Sequence, residues 1–157
     1  MQLASAVFHQ GAEIPSYYTS EGENVSPELS WSDAPANTKS FVLVMHDPDA
    51  PRAGGFTHWV LYNIPAITLH VEDKVPNRES VPGLGIQGKN DSGRIGYIGP
   101  APPSGAHRYF FRLFAIDKML ELAPGATHKE VSAAIKGHIL AQAELMGTYE
   151  KKSEQAA

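Results

Sequence analysis

Ser40-Phe41-Val42-Leu43-Val44-Met45, running on through His46 to Asp47, is the stretch that decides the fold. It is a continuous apolar run with β-branched residues, the pattern of a strand buried on both faces, and it delivers a carboxylate at its end. Two further strands read from period-two alternation. His58 to Ile64 puts His58, Val60 and Tyr62 on one face and Trp59, Leu61 and Asn63 on the other. His107 to Ile116 sets His107, Tyr109, Phe111 and Leu113 against Arg108, Phe110, Arg112 and Phe114. Upstream, residues 1–31 are broken by Gly11, Pro15, Gly22 and Pro27 into pieces suited to edge strands and a surface excursion. Pro76 to Pro103 is dense in glycine and proline and favours irregular loops over helix.

The last third changes character. Thr127 and Glu130 form a capping-box pattern, and Val131, Ile135, Ile139, Leu140 and Ala143 recur at helical spacing, so the sequence predicts an amphipathic helix from Thr127 to Glu144. Leu145 to Glu150 reads as a short closing strand and Lys151 to Ala157 as a fraying polar tail. The expected architecture is mostly β: two packed antiparallel sheets with one main C-terminal helix, in a single domain over 1–157.

With 157 residues the chain can bury one substantial core. Its 13 basic and 17 acidic residues, net charge -4, provide no basic stripe for nucleic acid. Zero cysteines exclude disulfides, thiolate metal sites and a cysteine nucleophile. No apolar run is long enough to span a bilayer and the first residues lack a signal-peptide pattern, so a cytoplasmic setting is expected.

Two short segments concentrate polar chemistry among rigid turns: Asp47-Pro48-Asp49-Ala50-Pro51 and Gly99-Pro100-Ala101-Pro102-Pro103-Ser104-Gly105-Ala106-His107-Arg108-Tyr109, with Thr57-His58-Trp59 between them. Other motifs fail on context. Gly83-Leu84-Gly85-Ile86-Gln87-Gly88 matches the dinucleotide fingerprint, but no helical pattern follows it. Ser104 lies outside a nucleophile elbow. The Asp and His residues lack the local spacing of a zinc site, so neither metal nor cofactor is expected. Taken alone, Asp47 and Asp49 are turn formers or functional acids with equal warrant, and a lone histidine at a strand start is more often structural than catalytic.

These segments, together with Trp31, Tyr62-Asn63-Ile64-Pro65, Gly88-Lys89-Asn90-Asp91 and Gly96-Tyr97-Ile98, closely resemble the phosphatidylethanolamine-binding protein family, in particular its bacterial, Raf kinase inhibitor-like branch. The likeness covers nearly the whole chain. It implies a large antiparallel sheet packed on a smaller one, with a small anion pocket lined by Asp47, Asp49, His58, Gly99, Pro100, His107 and Tyr109. Imidazoles, the tyrosine hydroxyl and a backbone N–H after the glycine turn are the donors a phosphate oxygen needs. The aspartates are acceptors, so beside an anion they should orient and charge the histidines.

The function this implies is non-enzymatic binding of a small phosphorylated or otherwise anionic ligand, with regulation of other proteins through the same pocket. The alternatives are a kinase or protease inhibitor and a hydrolase built on the Asp and His set. Bacterial relatives commonly look like homodimers, so a homodimer is an admitted assembly. Ser92 stands where the family often carries an aromatic residue. Two finer expectations follow. Ala50–Pro51 should be a cis peptide, which X-Pro bonds adopt at only about 0.5–1 kcal/mol, with Gly54–Gly55 a second candidate. His58 and His107 should titrate near neutrality, raised by the aspartates against the opposing effect of burial.

Overall fold

In the computed structural model, which describes residues 1–152, the chain builds two antiparallel sheets and one α-helix. The strands are β1 (Gln2–Ala4), β2 (Leu29–Ser32), β3 (Ser40–Asp47), β4 (Phe56–Pro65), β5 (His70–Val71), β6 (Ser80–Val81), β7 (Gly85–Gln87), β8 (His107–Ile116) and β9 (Ile139–Tyr149). The large sheet runs β6-β7-β4-β3-β8-β9 and the small one β1-β2-β5. Every pair among these strands is antiparallel.

Strand β3 is buried on both faces because it sits at the centre of the large sheet. Its odd residues Phe41, Leu43 and Met45 meet Trp59, Leu61, Phe111 and Leu113, and pack against Leu3, Leu29, Trp31 and Val71 of the small sheet. Its even residues Val42 and Val44 join Val60, Tyr62 and Ile116 in a second cluster, closed by Val131 and Ile135 of helix α1 (His128–Ile135). For Val60 and Tyr62 on one side, and for Trp59, Leu61, Phe111 and Leu113 on the other, the faces assigned from alternation are those seen, with Trp59 and Phe111 fully buried between the sheets.

The helix is shorter than its apolar spacing predicts. It starts where expected, with the Thr127 and Glu130 side chains capping one another's backbone N–H groups. It stops at Ile135, and Gly137 then takes a left-handed φ of 83°, a conformation glycine enters without penalty. From Ile139 onward the chain pairs with β8 along its whole length, from Ile116↔Ile139 to His107↔Tyr149. Ladder bonds along a ten-residue partner outweigh the weak helical preference of residues 139–144. The strand read as 145–150 is thus the end of a much longer β9. At the tail, Lys152 is tied back by its N–H to Glu21 and by its ammonium to Glu13, while residues 153–157 lie outside the described residues.

The fingerprint-like glycines serve a hairpin. Gly83 and Gly85 have positive φ, Gly85–Gln87 is β7, and a Cβ on Gly88 would fall 2.2 Å from the Ala126 carbonyl. No helix follows them, so no helix N-terminus is offered to a pyrophosphate.

Candidate functional site

Strands β3, β4 and β8 end together, and a cleft of about 350 Å³ opens there. Asp47, His58, Gly99, His107 and Tyr109 line it, joined by Ala50, Pro51, Arg52, Phe56, Ile98, Ala101, Pro102 and Pro103. Of the residues singled out from sequence, five therefore converge.

A one-residue irregularity aims His58 at this cleft. Met45 pairs with Trp59 but His46 pairs with Thr57, so β4 carries an extra residue at His58. A bulge of this kind flips the facing of the residues beyond it. Thr57 accordingly turns to the helix side, where its hydroxyl meets His46 Nδ1 at 2.9 Å and His128 Nδ1 at 3.0 Å. The His58 ring lies instead against Phe56 at 4.8 Å and edge-on to Tyr109 at 5.3 Å. Simple alternation had grouped His58 with Val60 and Tyr62, and the bulge separates it from them.

Both cleft histidines are held by Nδ1. His58 Nδ1 donates to the Ile98 carbonyl at 2.7 Å, while the Ile98 N–H returns to the His58 carbonyl at 3.1 Å. His107 Nδ1 donates to Asp47 Oδ2 at 2.7 Å, both side chains being nearly buried. The other Asp47 oxygen accepts the Asp49 N–H at 2.7 Å. Asp47 thus spends its carboxylate on orienting His107 and closing the loop. The expectation that both histidines titrate near neutrality does not hold for His58. Burial pushes its pKa down to about 4, overriding the raising effects of the Ile98 carbonyl and of Asp47. At the floor, Tyr109 is fully buried and its hydroxyl has no hydrogen-bond partner. Burial raises its pKa, so it is a neutral O–H.

Two sequence expectations are corrected here. Asp49 does not line the cleft: its carboxylate takes the Arg108 N–H, Nε and Nη2 at 2.9, 3.0 and 2.9 Å, and this fork holds its pKa down at about 2. Pro100 is not among the lining residues, and its carbonyl accepts from Ser20 N–H. Gly99 does line the cleft, and its own N–H is taken by Asn24 Oδ1 at 2.7 Å. Gly99 is there for space, since a Cβ would fall 2.4 Å from the Tyr18 carbonyl.

The turn at 48–55 also differs from expectation. Neither Ala50–Pro51 nor Gly54–Gly55 is cis. The reversal comes from Gly54 and Gly55, at φ 78° and 77°, and from the Asp47 carboxylate bridging to Asp49 N–H. A Cβ on Gly55 would lie 2.3 Å from the Asp47 carbonyl, so the chain passes itself at a distance only glycine allows.

The family profile described as phosphatidylethanolamine-binding protein matches residues 4–150. The chain belongs to this family. It is 48% identical over 151 residues to a UPF0098 protein of Methanothermobacter thermautotrophicus, with 96% of this chain and 99% of that one covered. A UPF0098 protein of Aquifex aeolicus is 49% identical over 154 residues, covering 96% and 89%. Among solved structures, Escherichia coli YbcL, described as a member of the mammalian PEBP family, superposes with a TM-score of 0.88 at 31% identity, covering 96% and 98%. The PEBP homolog CT736 of Chlamydia trachomatis gives 0.85 at 41% identity, covering 96% and 97%. The two-sheet arrangement seen here is that of these PEBP relatives.

Sequence reasoning missed Arg52, Phe56 and Ile98 as cleft residues. Arg52 lies over the Phe56 ring at 5.5 Å and brings an exposed cation to the rim. Its position directly after Asp47-Pro48-Asp49-Ala50-Pro51, in the turn that leads to Thr57-His58-Trp59, was the available signal. The role of Ile98 is carried by its backbone, which no side-chain motif marks. Ser92 caps its own turn through Asn90 Oδ1, beside the Asp91 carboxylate that receives Thr57 N–H at 2.8 Å.

Proposed function

We propose that this PEBP-family chain is a non-enzymatic binding protein whose cleft receives a small anion, either free phosphate or the phosphate of a larger ligand. The observation that carries the reading is the buried Tyr109 hydroxyl, left without a partner beside two imidazoles whose Nδ1 atoms are already held. An unmet buried donor costs about 1–3 kcal/mol, and an anionic oxygen at the cleft floor recovers it. A proton on His107 Nε2 is balanced by the Asp47 carboxylate behind the ring, so that Nε2–H meets the anion, and Arg52 adds a fixed positive charge at the rim. Asp49, Gly99 and Pro100 serve the walls: the first braces the loop and the others shape the backbone.

Titration calorimetry with inorganic phosphate tests this. The wild type binds phosphate, and His107→Gln weakens binding by roughly tenfold or more, the value of one charge-assisted hydrogen bond. Unchanged affinity in His107→Gln refutes the assignment. In the same reading the pocket face engages a kinase or protease through a phosphorylated or acidic side chain in a cytoplasmic setting, and pull-down with competing phosphate tests that step. A second reading rests on the Asp47–His107 pair, which also has the form of an oriented general base. Turnover of a phosphoester panel that is lost in His107→Ala would favour a hydrolase.

A further inference from the structure

The two cleft histidines are chemically unequal. A carbonyl oxygen only accepts, so the 2.7 Å contact to Ile98 fixes the proton of His58 on Nδ1 and leaves Nε2 with a lone pair. The ring is almost wholly buried, pressed between Phe56 and Tyr109, with the opposing Ile98 N–H bond locking its backbone in place. His107 differs in having a carboxylate behind it, so a proton arriving at its Nε2 makes an ion pair with Asp47. The charged and titratable groups around His58 are Asp47 from β3, His107 and Tyr109 from β8, Arg52 from the turn, and, more remotely, His46 and Asp91. Of these, Asp47 is engaged by His107 and Asp49 N–H, and Asp91 by Thr57 N–H.

We propose that His58 is a specificity filter that accepts a hydrogen bond from the ligand, so that the cleft selects an anion carrying its own acidic O–H: phosphate or a phosphomonoester as the monoanion, in preference to sulfate or a phosphodiester. This rests on the anion-site reading above. In the filled cleft, His107 Nε2–H and the Tyr109 hydroxyl donate to unprotonated oxygens, while the ligand P–O–H donates to His58 Nε2. An anion without that proton would aim an oxygen lone pair at the lone pair of the buried His58 ring, and the mismatch is expensive there. The low pKa of His58, set chiefly by burial, keeps the filter in its accepting form at the pH values of the test.

The test compares two ligands of equal charge at about pH 5.5, where a phosphomonoester, with its second pKa near 6, is largely the monoanion. Wild type should bind methyl phosphate about tenfold or more tightly than dimethyl phosphate by calorimetry, and inorganic phosphate above sulfate by a similar factor. In His58→Gln, whose amide can donate, sulfate should gain affinity and the preference should collapse. Equal affinity of wild type for methyl and dimethyl phosphate overturns the filter while leaving the anion site intact. Survival of the phosphate preference in folded His58→Gln also overturns it. If wild type binds none of these anions, the site reading falls, and the filter with it. The ligand pair decides the matter on wild type alone should His58→Gln fail to fold.

Discussion

The middle of strands β3, β4 and β8 and their cleft-facing ends obey different rules, although a few residues separate them. In the middle, Met45, Trp59, Leu61, Phe111 and Leu113 interlock between two sheets, and their value is apolar area removed from water. At the ends, Asp47, His58 and His107 are nearly as buried but polar, and each is held by a specific short hydrogen bond. The first region can be read as a pattern of alternating residues. The second depends on single hydrogen bonds and on one bulge. Stability should therefore follow the middle, and ligand chemistry the ends.

The largest separation of the two should come from Trp59→Ala, expected to cost about 3–5 kcal/mol in denaturant unfolding, with Phe111→Ala similar. His58→Gln measured alongside should fall well short of this at neutral pH. Equal losses would make His58 a core residue and erase the contrast.

Acid should expose the cost of the buried imidazole. His58 has a folded pKa of about 4 against about 6.5 in an unfolded chain, so between those values the unfolded state binds the proton and the native state does not. Stability falls as pH drops through that window, by about 3 kcal/mol in total from this one group, and the loss levels off below the folded pKa. The difference between wild type and His58→Gln unfolding curves from pH 7 to 4 isolates it. Parallel curves would show that His58 already carries its proton in the fold.

Gly55→Ala should cost about 1–3 kcal/mol for the left-handed backbone alone. The added Cβ also meets the Asp47 carbonyl, so phosphate affinity should drop with stability. Retained phosphate affinity would detach the turn from the site. The smallest effect is expected from Asp49→Asn, since the Arg108 partner is exposed and such pairs contribute little to global stability. Hydrogen exchange should quicken at residues 50–55 with the melting temperature almost unchanged.

Much of this organisation was legible in the sequence for identifiable reasons. Strand β3 has a long apolar run, and β8 alternates between buried and more exposed residues from His107 to Ala115, so both read as strands. Residues 139–144 misled because apolar residues at 135, 139 and 143 fit a helix as well as a strand, and only pairing with β8 decides between them. Gly137 was the local sign of the break. The bulge at His58 has no sequence signature, yet it turns the side chain through to the other face. Asp49 follows a proline in an irregular turn, where no periodicity states a direction, and Arg108 captures it. Family likeness named Asp47, His58, Gly99, His107 and Tyr109, which line one cleft here, but not the hydrogen bonds that Asp47, Gly99 and the two histidines had already spent.

The two cleft imidazoles should respond differently when an anion arrives. Long-range proton–nitrogen spectra of the histidine rings, recorded during addition of inorganic phosphate near neutral pH, read this at each nitrogen. His107 Nε2 should move toward the protonated position as phosphate saturates, while His58 keeps its proton on Nδ1 and an unprotonated Nε2. Phosphate that leaves both rings unperturbed, or shifts only surface histidines such as His9 and His70, would contradict an anion site in this cleft.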